Sequence, residues 1–477
     1  MTGNDRKSTD GLTRQLSLFD STMMLVGIVI GSGIFLTTGI MAESIPSGGL
    51  ILLAWVVGGL LTLAGALTYA ELGVIMPEAG GQYVYLREAY GHLAGFLFGW
   101  ILFWIAMTGS IAALGVAFSE YIGYFFPVLS TSNMIMTLDL SVFGSVIHYS
   151  LSVGQLFAAF LIAALSIFNY VGVKPGKMIQ NVLTVTKIGL ILILIILGFT
   201  VGRGHAIDLS IKPAGMGFSE MLTGFGVALI AVSWAFDGWH NLNYVAGEIK
   251  DPARNLPRAL IAGTFAITLI YLLVNCVYLY ALPVEEMSGV VRIAEKSTSA
   301  LFGASTAGLV TAVVLISIFG ALNGSIFVGP RVYYAMAKDG LFFRRAAEIH
   351  PRFETPGAAI FVQAVWAIVL TVSGTFEQLF TFVMFITIVF WVAATASVFT
   401  LRKKYPDLPR PYKTWGYPWV PALFIIASSG LVINTLFARP VESLAGVALA
   451  VSGIPVYYFW RKQSNLEITG GMADGQE

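Results

Sequence analysis

The chain has 477 residues, of which 57% are hydrophobic and 11% are charged, and its formal net charge is +1. Soluble domains carry about 25% charged residues, so this deficit along the whole length indicates an integral membrane protein. No basic stripe is present, and no nucleic-acid partner is predicted. The single cysteine excludes an internal disulfide, and the five histidines lack metal-ligand spacing. We therefore predict no metal, no cofactor and no enzymatic activity.

The first 17 residues are polar and charged, unlike the apolar run and small-residue cleavage site of a secretory signal. We expect residues 1–17 to form a cytoplasmic tail, and the first hydrophobic span to direct membrane insertion. A second cytoplasmic tail is expected at residues 461–477.

Twelve hydrophobic segments follow, each long enough for a bilayer that requires about 20 apolar residues. The predicted spans are 18–42, 50–73, 93–126, 152–172, 179–202, 219–247, 259–282, 301–334, 357–374, 378–401, 419–438 and 441–460. With cytoplasmic termini, 21 of the 27 lysines and arginines fall in cytoplasmic segments and five in external ones. Because basic residues favour the cytoplasmic side, this split supports the orientation and the even number of spans in the cytoplasmic membrane.

The first span is interrupted by Gly31-Ser32-Gly33. One interpretation is helix–helix contact through small residues, which the GxxxG spacing of Gly27 and Gly31 also permits. The other is a broken helix, because three small residues in succession weaken it. The free N–H groups of the second half-helix would then suit a carboxylate, and the free carbonyls of the first half would suit an ammonium group.

The sixth span is interrupted by Asp237-Gly238. A carboxylate deep in the membrane is costly and usually functional, although Asp237 could equally cap a broken helix. Trp234 and Phe236 are either packing aromatics or, for Trp234, a lid over a bound solute. Non-helical backbone at this depth is tolerated where it is buried in protein or lines a cavity. Paired breaks therefore predict a transporter that binds a small polar solute between them.

The two breaks lie five spans apart, and an odd offset reverses the direction of the chain across the membrane. This geometry predicts an inverted repeat of five helices plus five, formed by residues 18–202 and 219–401. Spans eleven and twelve, at 419–460, lie outside the repeat. The predicted fold class is an all-α integral membrane protein with twelve transmembrane helices, of which helices 1 and 6 are broken.

Lys187 is a buried charge ten residues after Lys177, about 15 Å into the membrane. Its side chain could snorkel to the cytoplasmic surface. Alternatively, it is a fixed ammonium group in the place of a bound cation, in which case transport does not need sodium. Glu71 and Glu248 end spans two and six, and we expect them to pair with basic residues and close the cytoplasmic side.

Several segments in order resemble the amino acid–polyamine–organocation (APC) superfamily, most of all its L-type amino acid transporter branch and the bacterial members of that branch. Besides Lys187 in span five, the matching segments are GIVIGSGIF, TYAELGVIMPEAGGQYVYLREAYG, AFDGWHNLNYVAGEIKDPARNLPRAL and FGALNGSIFVGPRVYYAMAKDGLFFRRAAEIHPRFETP. The matches extend over positions 27 to 356. The resemblance implies a LeuT-like fold and amino acid transport by alternating access.

By the same resemblance, both breaks and span eight would contact the substrate. The residues implied are Val29, Ile30, Gly31, Ser32, Gly33, Trp234, Ala235, Phe236, Asp237, Asn323 and Ser325, with Thr387 of span ten as a weaker assignment. Lys187 would link spans one and eight in place of sodium. The chain departs from the animal members, which carry glycine at Asp237 and phenylalanine at Trp234, so its side-chain selectivity is open.

Animal members of this branch join an accessory glycoprotein through a cysteine between spans three and four, whereas the corresponding loop 127–151 contains no cysteine. The resemblance thus implies a transporter with no disulfide-linked subunit, surrounded by lipid, and the oligomeric state stays open. We predict sodium-independent exchange or proton-coupled uptake of neutral L-amino acids. The alternative is a cationic amino acid or polyamine, for which Asp237 would supply a fixed carboxylate. A sensor of the same fold is disfavoured by the short tails.

Overall fold

The computed structural model describes residues 11–142, 145–211, 215–373, 376–438 and 440–473. Most of the chain is helical. The helices are α1 (Leu18–Val29), α2 (Gly33–Ser44), α3 (Gly48–Ile75), α4 (Gln82–Tyr90), α5 (His92–Ile101), α6 (Met107–Ile122), α7 (Val153–Tyr170), α8 (Val173–Thr200), α9 (Phe218–Ala235), α10 (Pro252–Ala281), α11 (Val284–Met287), α12 (Ile293–Phe302), α13 (Ala307–Val328), α14 (Pro330–Lys338), α15 (Gly357–Ser373), α16 (Phe376–Lys404), α17 (Trp419–Ala438) and α18 (Pro440–Ala473). Short 3₁₀ helices lie at Pro127–Leu129, Asn241–Glu248, Ala304–Thr306 and Arg344–Ala347, and a π-helical turn at Leu102–Ala106 joins α5 to α6.

Within these described ranges, eleven segments are long and apolar enough to cross a membrane, and the shorter apolar helix α15 completes the set of twelve. The protein is therefore a multi-pass membrane protein with its spans in the predicted order. Several helices begin or end a few residues from the predicted bounds; α8 and α10, for example, begin at Val173 and Pro252 rather than at 179 and 259. Span three ends at Ile122, ahead of the 3₁₀ turn at Pro127–Leu129. Gly303 separates α12 from span eight, which then continues to Lys338, and the predicted tail after residue 460 continues α18 to Ala473.

Span one consists of two helices with a break between them. A capping box begins α1, because the Ser17 hydroxyl accepts from the Asp20 N–H while the Asp20 carboxylate accepts from the Ser17 N–H. The helix ends at Val29, and α2 begins at Gly33. The predicted interruption at Gly31-Ser32-Gly33 is confirmed.

Span six is broken as well. After α9 ends at Ala235, the chain makes a tight turn and resumes at Asn241. Gly238 has φ = +93° in this turn, a region that favours glycine because it has no Cβ atom. The predicted break at Asp237-Gly238 is confirmed, but the second half of the span is the 3₁₀ helix Asn241–Glu248 rather than an α-helix.

A β-hairpin interrupts the helical fold between spans three and four. Its strands, β1 (Met134–Val142) and β2 (Ser145–Ser152), pair antiparallel. The sequence analysis treated this region as a plain loop and did not predict the strands. At the end of β2, the Ser152 hydroxyl accepts from the Gln155 N–H and caps α7, so the hairpin leads directly into span four.

Span one and the second half of span six, the turn and the 3₁₀ helix Asn241–Glu248, lie inside the bundle. α1 packs against α10 on one side and against α8 and α13 on the other, while α2 packs against α9. In contrast, α8, α17 and α18 leave many large apolar side chains exposed. Such extensive exposed apolar surface is expected where lipid rather than water is the solvent.

The chain before α1 lies across the face of the bundle at which α1 begins and the 3₁₀ helix of span six ends, here termed the amino face. The Gln15 and Leu16 N–H groups both donate to the Glu248 carbonyl, and the Lys250 N–H donates to the Leu16 carbonyl. The described part of the predicted N-terminal tail is thus bound to the bundle. Residues 1–10 of that tail lie outside the described residues.

Candidate functional site

The two breaks contact each other in the middle of the bundle. A Cβ atom on Gly33 would lie 2.7 Å from the Ala235 Cα atom, and one on Gly238 would lie 2.6 Å from the Ile28 Cγ2 atom. The start of α2 therefore touches the end of α9, and the turn of span six touches the end of α1. At both positions an added Cβ atom would overlap its neighbour, so the chain can pack this closely only because the residue is glycine.

Tyr271 of α10 joins the two breaks. Its hydroxyl lies 2.9 Å from the Val29 carbonyl oxygen and 3.0 Å from the Ala235 carbonyl oxygen, which belong to the last residues of α1 and α9. Carbonyls at a helix end have no partner within the helix, so this hydroxyl stabilises both ends. The sequence analysis missed Tyr271, whose only signal is a phenol within an apolar run.

Lys187 of α8 stabilises the same break from the other side. Its fully buried ammonium group donates to the carbonyls of Gly27 at 3.0 Å, Ile30 at 2.8 Å and Ser317 at 2.8 Å. Lys187 therefore links span one to span eight, and it does not snorkel to the surface. The geometry agrees with the interpretation of a fixed ammonium group.

The hydrogen bonds of Lys187 and Tyr271 occupy carbonyl groups at the first break that were expected to bind a substrate ammonium group. The Gly27, Val29 and Ile30 carbonyls already accept hydrogen bonds from Lys187, from Tyr271 and from the Gly31 N–H, so most of the carbonyl half of the predicted zwitterion site is occupied. The first N–H groups of α2 have no partner within the helix. The half of the break that suits a carboxylate thus stays available.

A cavity that opens to solvent lies between the two breaks. Nine of the predicted residues line its wall: Val29, Gly31, Ser32, Gly33, Trp234, Ala235, Asp237, Ser325 and Thr387. The opposite wall comes from the span containing α5 and α6 and is mostly apolar, with Phe98, Ile101, Leu102, Ala106, Met107 and Leu114.

Three predicted contact residues do not line this cavity. Ile30 is buried, and its carbonyl accepts from Lys187. Phe236 packs in an aromatic cluster with Trp55 and Tyr271. The Asn323 amide donates to Gln180, and its oxygen accepts from Asn169. These contacts give all three residues a role in packing around the breaks.

Asp237 lies in the turn that breaks span six and also on the cavity wall. Its carboxylate accepts from the Gly238 N–H, as a capping group would. The residue also lines the cavity, as does the half-buried Trp234 ahead of it in the chain. Capping the turn and contacting a solute are therefore compatible.

The sequence analysis missed a polar cluster on the amino-face side of the cavity. Gln82, His240 and Tyr244 line the wall there, and the Tyr244 hydroxyl donates to the Gln82 side chain at 2.8 Å. The available signal was the polar run HNLNY directly after the break. Across the described ranges, no three His, Cys, Asp or Glu side chains lie close enough together to hold a metal ion.

Buried ion pairs connect elements at the amino face. Arg331 and Glu248, each with a 1% exposed side chain, form a 2.6 Å pair between span eight and span six. Glu71 of α3 accepts from Arg402 at 2.7 Å and from Thr414. The expectation that Glu71 and Glu248 pair with basic residues is confirmed. Removing one partner of a fully buried ion pair costs about 3–5 kcal/mol, because it leaves the other charge unpaired. Such pairs therefore disfavour separation of the elements they join.

Comparison with known families decides which class of helical membrane protein this is. A sequence profile described as "Amino acid permease" matches residues 16–460, nearly the whole chain. The chain belongs to this amino acid permease family. The resemblance to the APC superfamily is thereby confirmed, and the permease is a transporter rather than an enzyme.

Curated relatives align over almost the full length of the permease. It is 33% identical to the serine/threonine exchanger SteT of Bacillus subtilis (strain 168), over 95% of this chain and 98% of the relative. It is 30% identical to the human large neutral amino acids transporter small subunit 2, over 94% of this chain and 81% of the relative. It is 29% identical to the mouse Asc-type amino acid transporter 1, over 95% and 82% of the two chains.

Proposed function

We propose that this permease exchanges or imports neutral L-amino acids by alternating access and does not require sodium. The observation that carries the proposal is the contact of two broken helices beside a cavity that both of them line. The names of two relatives refer to serine and threonine and to large neutral amino acids, which supports neutral substrates over cationic ones.

In the proposed complex, the substrate carboxylate lies at the start of α2, near Ser32 and Gly33. This position is supported by the unpaired N–H groups of the first helical turn and by the positive end of the helix dipole. The α-ammonium group faces Asp237. That assignment is supported by the occupied carbonyls at the end of α1, which leave the carboxylate as the main acceptor on the wall.

Lys187 takes the place of a coupling cation in this proposal. Its three carbonyl contacts join the broken span one to span eight, so a positive charge is already present between them. A sodium ion at the same position would meet unfavourable charge repulsion and would have to compete for the same oxygens.

We further propose that the amino face is cytoplasmic and that the protein lies in the cytoplasmic membrane. The excess of lysines and arginines in segments on that side supports this orientation. The permease would work without a disulfide-linked subunit, because its one cysteine, Cys276, belongs to α10 rather than to the loop between spans three and four.

Counterflow in liposomes tests the proposed function. Purified permease is reconstituted into liposomes loaded with unlabelled threonine, and uptake of labelled threonine is measured with sodium or with choline as the external cation. We expect equal uptake in both cations and none into protein-free liposomes. Uptake only with an imposed proton gradient would assign proton-coupled import rather than exchange.

The same preparation separates the candidate substrates. An excess of external neutral amino acids should reduce the labelled uptake, whereas arginine or a polyamine should not. Strict sodium dependence, or competition by arginine alone, would contradict the proposal.

A further inference from the structure

His240 lies at the end of the turn that breaks span six, and it is 3% exposed. Its ring packs against the rings of Tyr69, Trp239 and Trp391, and the residue also lines the cavity. One ring nitrogen, Nε2, lies 3.0 Å from the Tyr244 hydroxyl. The other, Nδ1, is buried and has no hydrogen-bond partner among the described residues. His240 is therefore a residue of the cavity wall in which one buried ring nitrogen has no partner among the described residues.

The hydrogen bonds around His240 determine which ring nitrogen carries the proton. The Gln82 amide donates to the Tyr69 hydroxyl at 2.7 Å, and its oxygen accepts from the Tyr244 hydroxyl at 2.8 Å. A tyrosine hydroxyl has one proton, so the Tyr244 oxygen can only accept from His240. Nε2 is then the protonated nitrogen of an uncharged imidazole, and Nδ1 is a bare acceptor.

A buried acceptor without a donor is unfavourable, so the unpaired Nδ1 points to a ligand that donates to it. We propose that Nδ1 of His240 accepts a hydrogen bond from the substrate side chain, and that the preferred substrates are neutral amino acids with a hydroxyl or carboxamide side chain. This inference rests on the proposed function, in which the start of α2 and Asp237 bind the carboxylate and ammonium groups. The side chain is then the part of the substrate that is left to meet His240.

The remaining wall suits the same class of side chain. Gln82 and Tyr244 lie beside His240, and Phe98, whose ring centroid lies 6.4 Å from that of Tyr244, and Phe390 add apolar, uncharged surface to the wall. A site built to hydrogen-bond a substrate hydroxyl rejects an isostere without it far more strongly than an apolar pocket distinguishes one methyl group. Threonine and valine differ in this way at nearly constant shape.

Competition by threonine and by valine, each against labelled threonine counterflow in liposomes, tests the inference on the unaltered protein. We expect the half-inhibitory concentration of valine to exceed that of threonine by about tenfold or more. The half-inhibitory concentration of alanine should likewise exceed that of serine, and that of methionine should exceed that of glutamine. The serine and glutamine arms distinguish a hydroxyl from a carboxamide preference. Equal competition by threonine and valine would overturn the inference.

Two substitutions at one position assign the effect to Nδ1. In His240→Gln, the amide nitrogen corresponds to Nε2 and still donates to Tyr244, but no acceptor remains at Nδ1. In His240→Asn, the amide oxygen corresponds to Nδ1. We expect the ratio of valine to threonine inhibition to fall below about threefold in His240→Gln and to stay near the unaltered value in His240→Asn. An unchanged ratio in His240→Gln would overturn the assignment.

The outcomes separate this inference from the proposed function. If no neutral amino acid gives counterflow, the proposed function fails. If counterflow occurs but threonine has no advantage over valine in the unaltered protein, only the role of His240 fails. A variant that does not fold leaves the decision to the unaltered protein, whose inhibition ratio is sufficient.

Discussion

At the scale of single residues, two donors stabilise the broken helix ends. Lys187 donates to carbonyls of α1 and α13, and the single hydroxyl proton of Tyr271 is shared between the last carbonyls of α1 and α9. Carbonyls that leave a helix inside a membrane find no partner in lipid, so protein donors have to satisfy them. The break therefore depends on Lys187 and Tyr271, which are distant in the sequence, as much as on Gly31-Ser32-Gly33 itself.

Lys187→Met tests the role of the buried ammonium group. The side chain keeps similar bulk but leaves the Gly27 and Ile30 carbonyls at the broken end without their donor, and each unsatisfied group costs about 1–3 kcal/mol. We expect a clear fall in the thermal unfolding temperature of the detergent-purified protein and counterflow below about a tenth of the unaltered rate. Lys174→Met, at an exposed position near the start of the same helix, is the control and should change neither quantity.

Tyr271→Phe removes only the hydroxyl that joins the two breaks. The ring still packs against Trp55 and Phe236, so we expect a loss of about 1–2 kcal/mol in stability but a fall of at least about tenfold in counterflow. Tyr280→Phe, which loses a 3.3 Å bond to the Gly202 carbonyl, is the matched control. Equal rates in the two variants would contradict a role of Tyr271 in holding the breaks together.

At the scale of elements, the sequence was sufficient to predict the helices and the two interruptions. Length and apolar composition mark a membrane span, and small or charged residues within a span mark a break. The β-hairpin and the 3₁₀ half of span six were not predictable in this way. Their form depends on cross-strand pairing and on packing of Gly238 against Ile28, which no local composition reports.

Gly33→Ala tests the contact between α2 and α9. The added Cβ atom would lie 2.7 Å from the Ala235 Cα atom, a backbone atom that cannot rotate away. The two helices would have to separate, so we expect counterflow to fall by about tenfold or more and stability to fall by about 1–3 kcal/mol.

Gly430→Ala is the control for this substitution. Gly430 lies within α17 and has no neighbouring atom within 4 Å of the added Cβ atom. The substitution should stabilise that helix by about 0.5–1 kcal/mol, because alanine loses less backbone entropy than glycine. A fully active Gly33→Ala variant would mean that the two breaks need not touch for transport.

At the scale of the whole molecule, the amino face is held by charged contacts between different elements. Besides the pair of Glu248 with Arg331, Asp20 at the start of α1 accepts from Lys177 of α8 at 2.9 Å. Arg87 after span two pairs with Asp339 after span eight at 2.7 Å. Alternating access requires such contacts to separate when the cavity opens at the amino face. Together these contacts therefore set the fraction of molecules that is closed at that face.

Glu71→Gln should shift the protein toward opening at the amino face. The substitution removes the charge that binds Arg402, whose side chain is 23% exposed, so the loss is smaller than for the fully buried pair of Glu248 and Arg331. A loss of about 1 kcal/mol raises the open population roughly fivefold. In a Cys276→Ser background, Ser110→Cys places a thiol on the cavity wall. A membrane-impermeant thiol reagent applied from the amino face should then label the Glu71→Gln variant several times faster than the same cysteine variant with Glu71 intact.

Glu43→Gln provides the control for this measurement. Glu43 is exposed in the last turn of α2, at the opposite end of span one, and its substitution should leave labelling from the amino face unchanged. Labelling that is equally fast with and without Glu71→Gln would show that this carboxylate does not hold the face closed.

The sequence alone determined the membrane class, the order of the twelve spans, the two breaks and, through ordered motifs, the family. These features depend on local composition and spacing, because each span must be long and apolar enough for lipid wherever its neighbours lie. Only the tertiary structure decided that Lys187 and Tyr271 satisfy the broken ends, that Ile30, Phe236 and Asn323 lie off the cavity wall, and that His240 lines it with one ring nitrogen unpaired. Those facts depend on which residues, tens to hundreds of positions apart in the chain, come within hydrogen-bond distance when the helices pack.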